Sequence, residues 1–434
     1  MVSVGSAASG RLETPFELLI KNINMTALAE LSPAKRMTPD GLLLCFSAFF
    51  ADLGYQGVTA LYPLYIIFSL HAAVYWYGII TAVAFGAGSF VAYVGGLAGD
   101  RFDKKYIAIA GNAFIPLMAF SGLGGSLFTS ALLFILGWWA RYFRTPARRA
   151  LLVHVTPPSG RGFSFGFLHA LDVGGGVLSG LFALLFIALH IPIGVIVLYA
   201  AVPLVISTAL LFFVRRTTLY PEESPLQGRP ESVASPDADR TLFRFLLISA
   251  ILYGFSFYNL GFPTITATRG SATTVGYELG VLAFITYLGV SAVSGYILGA
   301  LKLSPLRSLW LAGYLPSAIG SGLIALSVAL QMNELAFYLF VAVLGLGMGA
   351  VETFEPTLVS SLVGSTTLSR GMGFLSVSRS IGQFLSNLIM GVLFSFSRSA
   401  PYFYAFASAL LATIILGIAD ARYRRGHVRQ TPHE

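Results

Sequence analysis

Eight ionisable side chains fall inside stretches of sequence that are otherwise almost wholly apolar: Asp52, Arg141, Arg144, His169, Asp172, Glu352, Glu355 and Arg379. In such surroundings an acid or a base can exchange a proton, hold a charged group of a solute, or pair with its opposite as a gate or a lock. Asp52, Glu352 and Glu355 are the candidates for carrying a proton, and the three arginines for receiving an anionic group. His169 and Asp172 have the spacing that places two side chains on one helix face, as a proton relay or as a hydrogen-bonded pair that neutralises a polar spot. Tyr55 and Tyr258 add hydroxyls on aromatic bodies, suited either to lining a pocket or to packing between helices. The signs are complementary. Arg141-x-x-Arg144-x-Pro146 is answered by Glu352-x-x-Glu355-Pro356, and Asp172 by Arg379. Unpaired, such charges are too costly, so ion pairs or a wet cavity are expected.

Other chemistries are not encoded. There is no G-x-x-x-x-G-K-[ST] to cradle a nucleotide and no H-E-x-x-H to bind zinc. Gly162-Phe163-Ser164-Phe165-Gly166 matches G-x-S-x-G, but that signature needs a strand–turn–helix context, and here it opens an apolar helix. The single cysteine, Cys45, can form neither an internal disulfide nor a metal site. No cofactor and no enzymatic activity are expected. The formal net charge of +8 reads as loops facing anionic lipid headgroups rather than as a nucleic-acid surface.

The elements that must position these groups are membrane helices. The chain is 56% hydrophobic and 11% charged over 434 residues, with a mean hydropathy of +0.77. Twelve spans of bilayer-crossing length can be drawn, at 41–69, 72–98, 106–126, 129–153, 163–188, 191–214, 242–266, 273–300, 306–329, 333–361, 371–396 and 400–420. At ~1.5 Å per residue Asp52 lies about 17 Å from the end of its span, Asp172 about 14 Å into the fifth and Arg379 about 12 Å into the eleventh. Lysines and arginines crowd the connections on one side, from Lys35 and Arg36 through Arg101, Lys104, Lys105, Arg149 and Arg161 to Arg422, Arg424 and Arg425. The other side carries only Arg269 and Arg398. By the positive-inside rule the crowded side is cytoplasmic, and both termini lie there, in the cell membrane.

Prolines 221, 225, 230 and 236 with Glu222, Glu223 and Gly228 mark 215–241 as a polar linker between two groups of six spans, 41–214 and 242–420. Residues 1–40 and 421–434 read as cytoplasmic ends, the former holding a possible amphipathic face at Phe16, Leu19, Ile20, Ile23 and Leu28. The halves echo one another: Arg161-Gly162 then Gly166-Phe167 in one, Arg370-Gly371 then Gly373-Phe374 in the other. Pro63 and Pro263 stand at corresponding places, where they would kink the first and seventh spans. Arg148, Arg149 and His154 read as surface residues, with Arg148 in reach of Asp100, and Gly174, Gly175 and Gly176 as a close helix contact.

Between the second and third spans runs Gly96-Leu97-Ala98-Gly99-Asp100-Arg101-Phe102-Asp103-Lys104-Lys105. This resembles the G-x-x-x-D-[RK]-x-G-[RK]-[RK] signature of the major facilitator superfamily at Gly96, Asp100, Arg101, Lys104 and Lys105, with Asp103 in place of the second glycine. Arg141 to Arg148 with Pro146, followed by Arg161-Gly162, Gly166 and His169 to Asp172, is similar to a prokaryotic branch described mostly as drug or metabolite exporters. The resemblance implies twelve helices in two pseudo-symmetric six-helix bundles, a substrate site between them near mid-membrane, and a gating role for Asp100 against the start of span eleven. It implies a monomeric secondary transporter of a small solute, working by alternating access and coupled to protons, with export as the direction. Uptake of an organic anion or sugar, and a non-transporting sensor, are the alternatives. The short tail after Asp420 argues against the sensor.

Overall fold

The structure, a computed structural model, describes residues 37–156, 161–215, 236–301, 303–362 and 368–428. The amphipathic reading of residues 16–28 and most of the linker prolines lie outside them. The described residues form an all-α bundle. Its first six spans are α1 Pro39–Ser69, α2 Val74–Arg101, α3 Lys104–Leu123, α4 Leu127–Val155, α5 Arg161–Ala188 and α6 Ile193–Phe213. The second six are α7 in two pieces, Pro236–Gly254 and Gly261–Ala267, then α8 Thr274–Ala300, α9 Pro305–Ala329, α10 Glu334–Leu362, α11 Leu368–Phe396 and α12 Ala400–Val428. Ten of these are long and apolar enough to cross a membrane. Arginines take up the second half of α4, and α7 is interrupted, so these two fall short by composition or length.

Local chemistry sets the ends. Thr38 accepts the Gly41 N–H at 3.1 Å ahead of Pro39 in the first turn of α1, Ser126 accepts the Thr129 N–H at 3.2 Å at the start of α4, and Thr273 does the same for Gly276 at α8. Left-handed residues follow α1 at His71 (φ 54°) and α7 at Arg269 (φ 54°), and follow α3 at Gly125 (φ 61°) and α9 at Gln331 (φ 49°). The equivalent pairs α1 with α7 and α3 with α9 therefore stop in the same way.

Three boundaries differ from the sequence reading. The α7 helix starts at Pro236, inside the stretch read as linker, and α12 runs on to Val428. The span drawn at 242–266 is not one helix: its backbone leaves the helix over 255–260, ahead of Pro263 rather than at it. Pro263 has no N–H for the carbonyl of Asn259, which takes the Phe262 N–H at 3.1 Å instead. The Asn259 amide oxygen accepts the Gly261 N–H at 3.0 Å, and the Asn259 N–H goes to the Asn387 side chain at 3.0 Å. With these partners an open turn survives in an apolar setting. Pro63, by contrast, lies within continuous helix that widens only at Tyr65–Ser69.

Two separate apolar cores lie toward the arginine-rich face. One is built from Leu44, Ala48, Ile109, Leu152, Leu168 and Leu211, the other from Leu246, Leu309, Val351, Leu358, Leu375 and Leu416. Toward the opposite face a single core runs through both bundles, joining Val58, Tyr62, Ile80 and Phe134 to Phe262, Val281, Ile324 and Met390. The bundles are thus sealed together at the opposite face and separate at the arginine-rich one.

The seal is tight where α2 crosses α11. A Cβ on Gly78 would sit 2.5 Å from the Asn387 carbonyl oxygen and 2.8 Å from the Gly391 Cα, so only glycine fits. Replacing Gly78 by leucine is expected to pry this seam apart. In a Cys45→Ala background, a reporter cysteine at Tyr277, whose ring meets Phe68 across the seam at 5.6 Å, should then label several-fold faster from the opposite face. Unchanged labelling would show that the seam is not what closes that end.

Candidate functional site

Each bundle gathers its own embedded charges, and the two sets are built differently. In the second bundle Arg379 on α11 is saturated. Its Nη2 donates to Glu352 at 2.7 Å and its Nη1 lies 3.3 Å from Glu355, both on α10. Tyr314 of α9 donates to the other oxygen of Glu355 at 2.6 Å, and the Phe257 ring lies 4.9 Å under the guanidinium. Glu355 is wholly buried, whereas the Glu352 side chain is 52% exposed and faces the space between the bundles.

In the first bundle the cations are not matched. Arg148 on α4 is 4.0 Å from Asp172 on α5. It is a buried residue, 7% exposed, and its pairing with Asp172 replaces both the surface reading and the contact with Asp100 expected from sequence. It lies one helical turn beyond Arg144, and its side chain reaches Asp172. Arg144 is buried and donates to the Asn112 amide oxygen on α3, and that amide donates on to Ser207 at 3.1 Å and Thr208 at 2.8 Å on α6. Arg141 lies over Tyr55 at 4.5 Å and Trp138 at 4.9 Å, a cation–π setting, with no hydrogen-bond partner at Nε. Among the described residues no ion pair within 4.0 Å joins Arg141 or Arg144 to a carboxylate. Asp52, 3% exposed, accepts the Tyr55 hydroxyl at one oxygen and has no hydrogen-bond partner at the other.

Asp52, Tyr55 and Arg141 thus form one cluster, and Glu352, Glu355 and Arg379 another. His169 is exposed and makes no hydrogen bond to Asp172, despite the shared helix face. It comes within electrostatic range of Glu352 across the gap between the bundles. Tyr258 is buried near the α7 break, with its hydroxyl 3.3 Å from Ser321. Of the three consecutive glycines only Gly175 makes the close approach, where a Cβ would be 2.6 Å from the Phe49 carbonyl oxygen of α1.

The family model of the Major Facilitator Superfamily matches residues 44–301. The chain belongs to the major facilitator superfamily. It has the fold of that family of transporters, and solved transporter structures agree. A POT family transporter in complex with a thioalcohol-conjugated peptide superposes with a TM-score of 0.71 at 14% identity, covering 88% of this chain and 96% of that one. A POT family transporter with 5-aminolevulinic acid gives 0.70 at 13%, covering 88% and 96%. A bacterial homologue of the human lysosomal transporter Spinster, inward-facing and unoccupied, gives 0.61 at 16%, covering 89% and 96%. At these identities the likeness is one of fold. No curated protein is significantly similar to the chain.

Within this superfamily fold the loop signature is only loosely engaged. Asp100 and Arg101 are exposed, and Asp100 has no ion-pair partner among the described residues. Lys105 donates to the Phe212 carbonyl at 2.9 Å, tying the start of α3 to the end of α6, while Lys104 is half-buried. Asp103, in the glycine position, caps α3 by accepting the Lys105 N–H at 2.8 Å. A Cβ on Gly96 would clear Pro146 by 3.8 Å, whereas Gly95 lies hard against the Phe143 carbonyl of α4.

Sequence reasoning missed a polar junction across the seam. Tyr77 of α2 donates to Asn259, Asn259 donates to Asn387 of α11, and Thr81 of α2 lies 3.3 Å from the same Asn387 oxygen. All four are buried. The signal was there in two asparagines set in apolar spans, since a polar group in lipid is costly without partners.

Proposed function

We propose that the chain is a secondary active transporter that carries a small zwitterionic or anionic solute across the cell membrane by alternating access, coupled to protons. The observation that carries this reading is the unequal matching of embedded charge. In the first bundle Arg141 and Arg144 have no carboxylate within 4.0 Å among the described residues, which leaves a positive charge over beside Asp52. In the second, Arg379 faces two carboxylates, and the half-exposed Glu352 is the negative charge over. A solute with an anionic end toward Arg141 and a cationic end toward Glu352 balances both. Asp52, one oxygen free, is the group that carries the proton, and its Tyr55 contact links proton binding to the ring on which Arg141 rests.

The arginine-rich face is cytoplasmic in this reading, so the described state is open to the cytoplasm and closed outside by the Tyr77–Asn259–Asn387 junction. Two structures of similar fold hold a peptide conjugate and 5-aminolevulinic acid, which suits the class of solute proposed. One chain supplies both bundles, so a monomer suffices.

The test is internal pH in proteoliposomes, with zwitterionic, anionic and cationic solutes added outside one class at a time. A proton flux that zwitterions or anions evoke, that cations do not, and that empty liposomes lack, is expected. The sign of the flux relative to the solute gradient separates export by antiport from uptake by symport. A flux evoked by cations alone, or none from folded protein, would sink the reading.

A further inference from the structure

We propose that the cleft between α7, α9, α10 and the α11–α12 turn, on the face opposite the arginine-rich one, is a second binding site, for a carboxylate or phosphate group. Arg269 and Arg398 are the only lysines or arginines in the six connections on that face. They come from turns that are far apart in sequence, yet both line the same cavity of about 720 Å³, together with Glu334, Gln331, Ser397 and Ser399. That volume is within the ~300–1,000 Å³ usual for small-molecule sites.

The two arginines are held differently. Arg269 is anchored: its Nη2 donates to the Met332 carbonyl at 3.2 Å and its Nε is 4.0 Å from Glu334. Arg398 is exposed and has no carboxylate partner among the described residues. Its guanidinium lies against the residue next to Arg269. Gly270 has φ +80°, and a Cβ there would be 2.6 Å from Arg398 Nη2, so the missing side chain lets the second cation in. Like charges brought together repel, and the one carboxylate in the cleft leaves a positive charge over. The Ser397 and Ser399 hydroxyls, 3.0 Å apart, add short donors beside it. A guanidinium fork with nearby hydroxyls fits the paired oxygens of a carboxylate or phosphate. The source of that group is either a free solute or an anionic lipid headgroup at the membrane surface.

The experiment uses the purified full chain in a maltoside detergent, which carries no phosphate, at constant ionic strength set with chloride. Thermal unfolding is followed while inorganic phosphate, or phosphatidylglycerol, is added. A saturable rise in the unfolding midpoint is expected in the wild type, because a ligand that binds the folded state stabilises it. It should be lost in Arg398→Gln, a variant that breaks no hydrogen bond or ion pair among the described residues, and largely kept in Arg398→Lys. A rise with phosphate assigns the site to a free oxyanion, and a rise with phosphatidylglycerol alone assigns it to a headgroup. No rise with either, or an equal rise in Arg398→Gln, would overturn the proposal.

Discussion

Replacing Asp52 by asparagine is expected to reduce solute-driven proton movement in proteoliposomes to the level of empty liposomes, while leaving the protein folded. The geometry explains why the two effects separate. Asp52 accepts the Tyr55 hydroxyl through one oxygen, and asparagine keeps an oxygen in that position. The other oxygen has no hydrogen-bond partner, so exchanging it for an amide nitrogen breaks no contact in the described state. The neighbours are tightly packed: Tyr55 meets Trp138 edge-on at 5.5 Å, and Gly175 brings α5 against the α1 backbone. An isosteric residue leaves all of this in place. What the amide cannot do is bind and release a proton. Exchange of labelled solute for unlabelled solute at equal pH on both sides needs no net proton transfer and should persist. Normal gradient-driven accumulation by Asp52→Asn would remove Asp52 from the proton pathway and pass the role to Glu352, an embedded carboxylate whose side chain is half exposed.

Hydropathy and charge placed almost every membrane helix, because a span must be long and apolar whatever it packs against. The embedded charges were equally legible, since each breaks an apolar run. Their partners were not. Pairing depends on how each helix is rotated and tilted. Arg148 was set at the surface by counting from the end of α4, yet its side chain turns toward α5 and meets Asp172. His169 and Asp172 share a spacing but point to different neighbours, one to the gap between bundles and the other to Arg148. Neutral amides give the weakest signal of all. Asn112 supports Arg144, and Asn259 with Asn387 closes the seam; their place in apolar spans marks them as needing partners, but nothing in their local sequence says which partners. The break in α7 has the same origin: Pro263 marks that the helix is disturbed, but the place of the disturbance is set by an amide on another helix.

Arg379→Met is expected to destabilise the protein strongly, and Glu355→Gln in the same chain to recover most of the loss. Glu355 is fully buried and has two partners, Arg379 at 3.3 Å and the Tyr314 hydroxyl at 2.6 Å. Removing the arginine leaves a buried carboxylate with one hydroxyl for company, a change that typically costs about 3–5 kcal/mol. Methionine fills much of the volume and packs against Phe257, so the loss is electrostatic rather than a cavity. Glutamine at position 355 removes the stranded charge and still accepts from Tyr314, which is why the pair of substitutions should be milder than the arginine substitution alone. The unfolding midpoints of the wild type, both single variants and the double variant form a cycle that isolates this coupling. Glu352 gives the contrast. Its side chain is half exposed and its bond to Arg379 is at the edge of the gap, so Glu352→Gln should change the midpoint little and weaken transport of zwitterions more than that of plain anions. If Arg379→Met unfolds at the wild-type midpoint, the arginine is not a structural counter-charge. Glu355 would then have to be protonated in this state, so that Arg379 and Glu352 cancel and the second bundle has no negative charge left over.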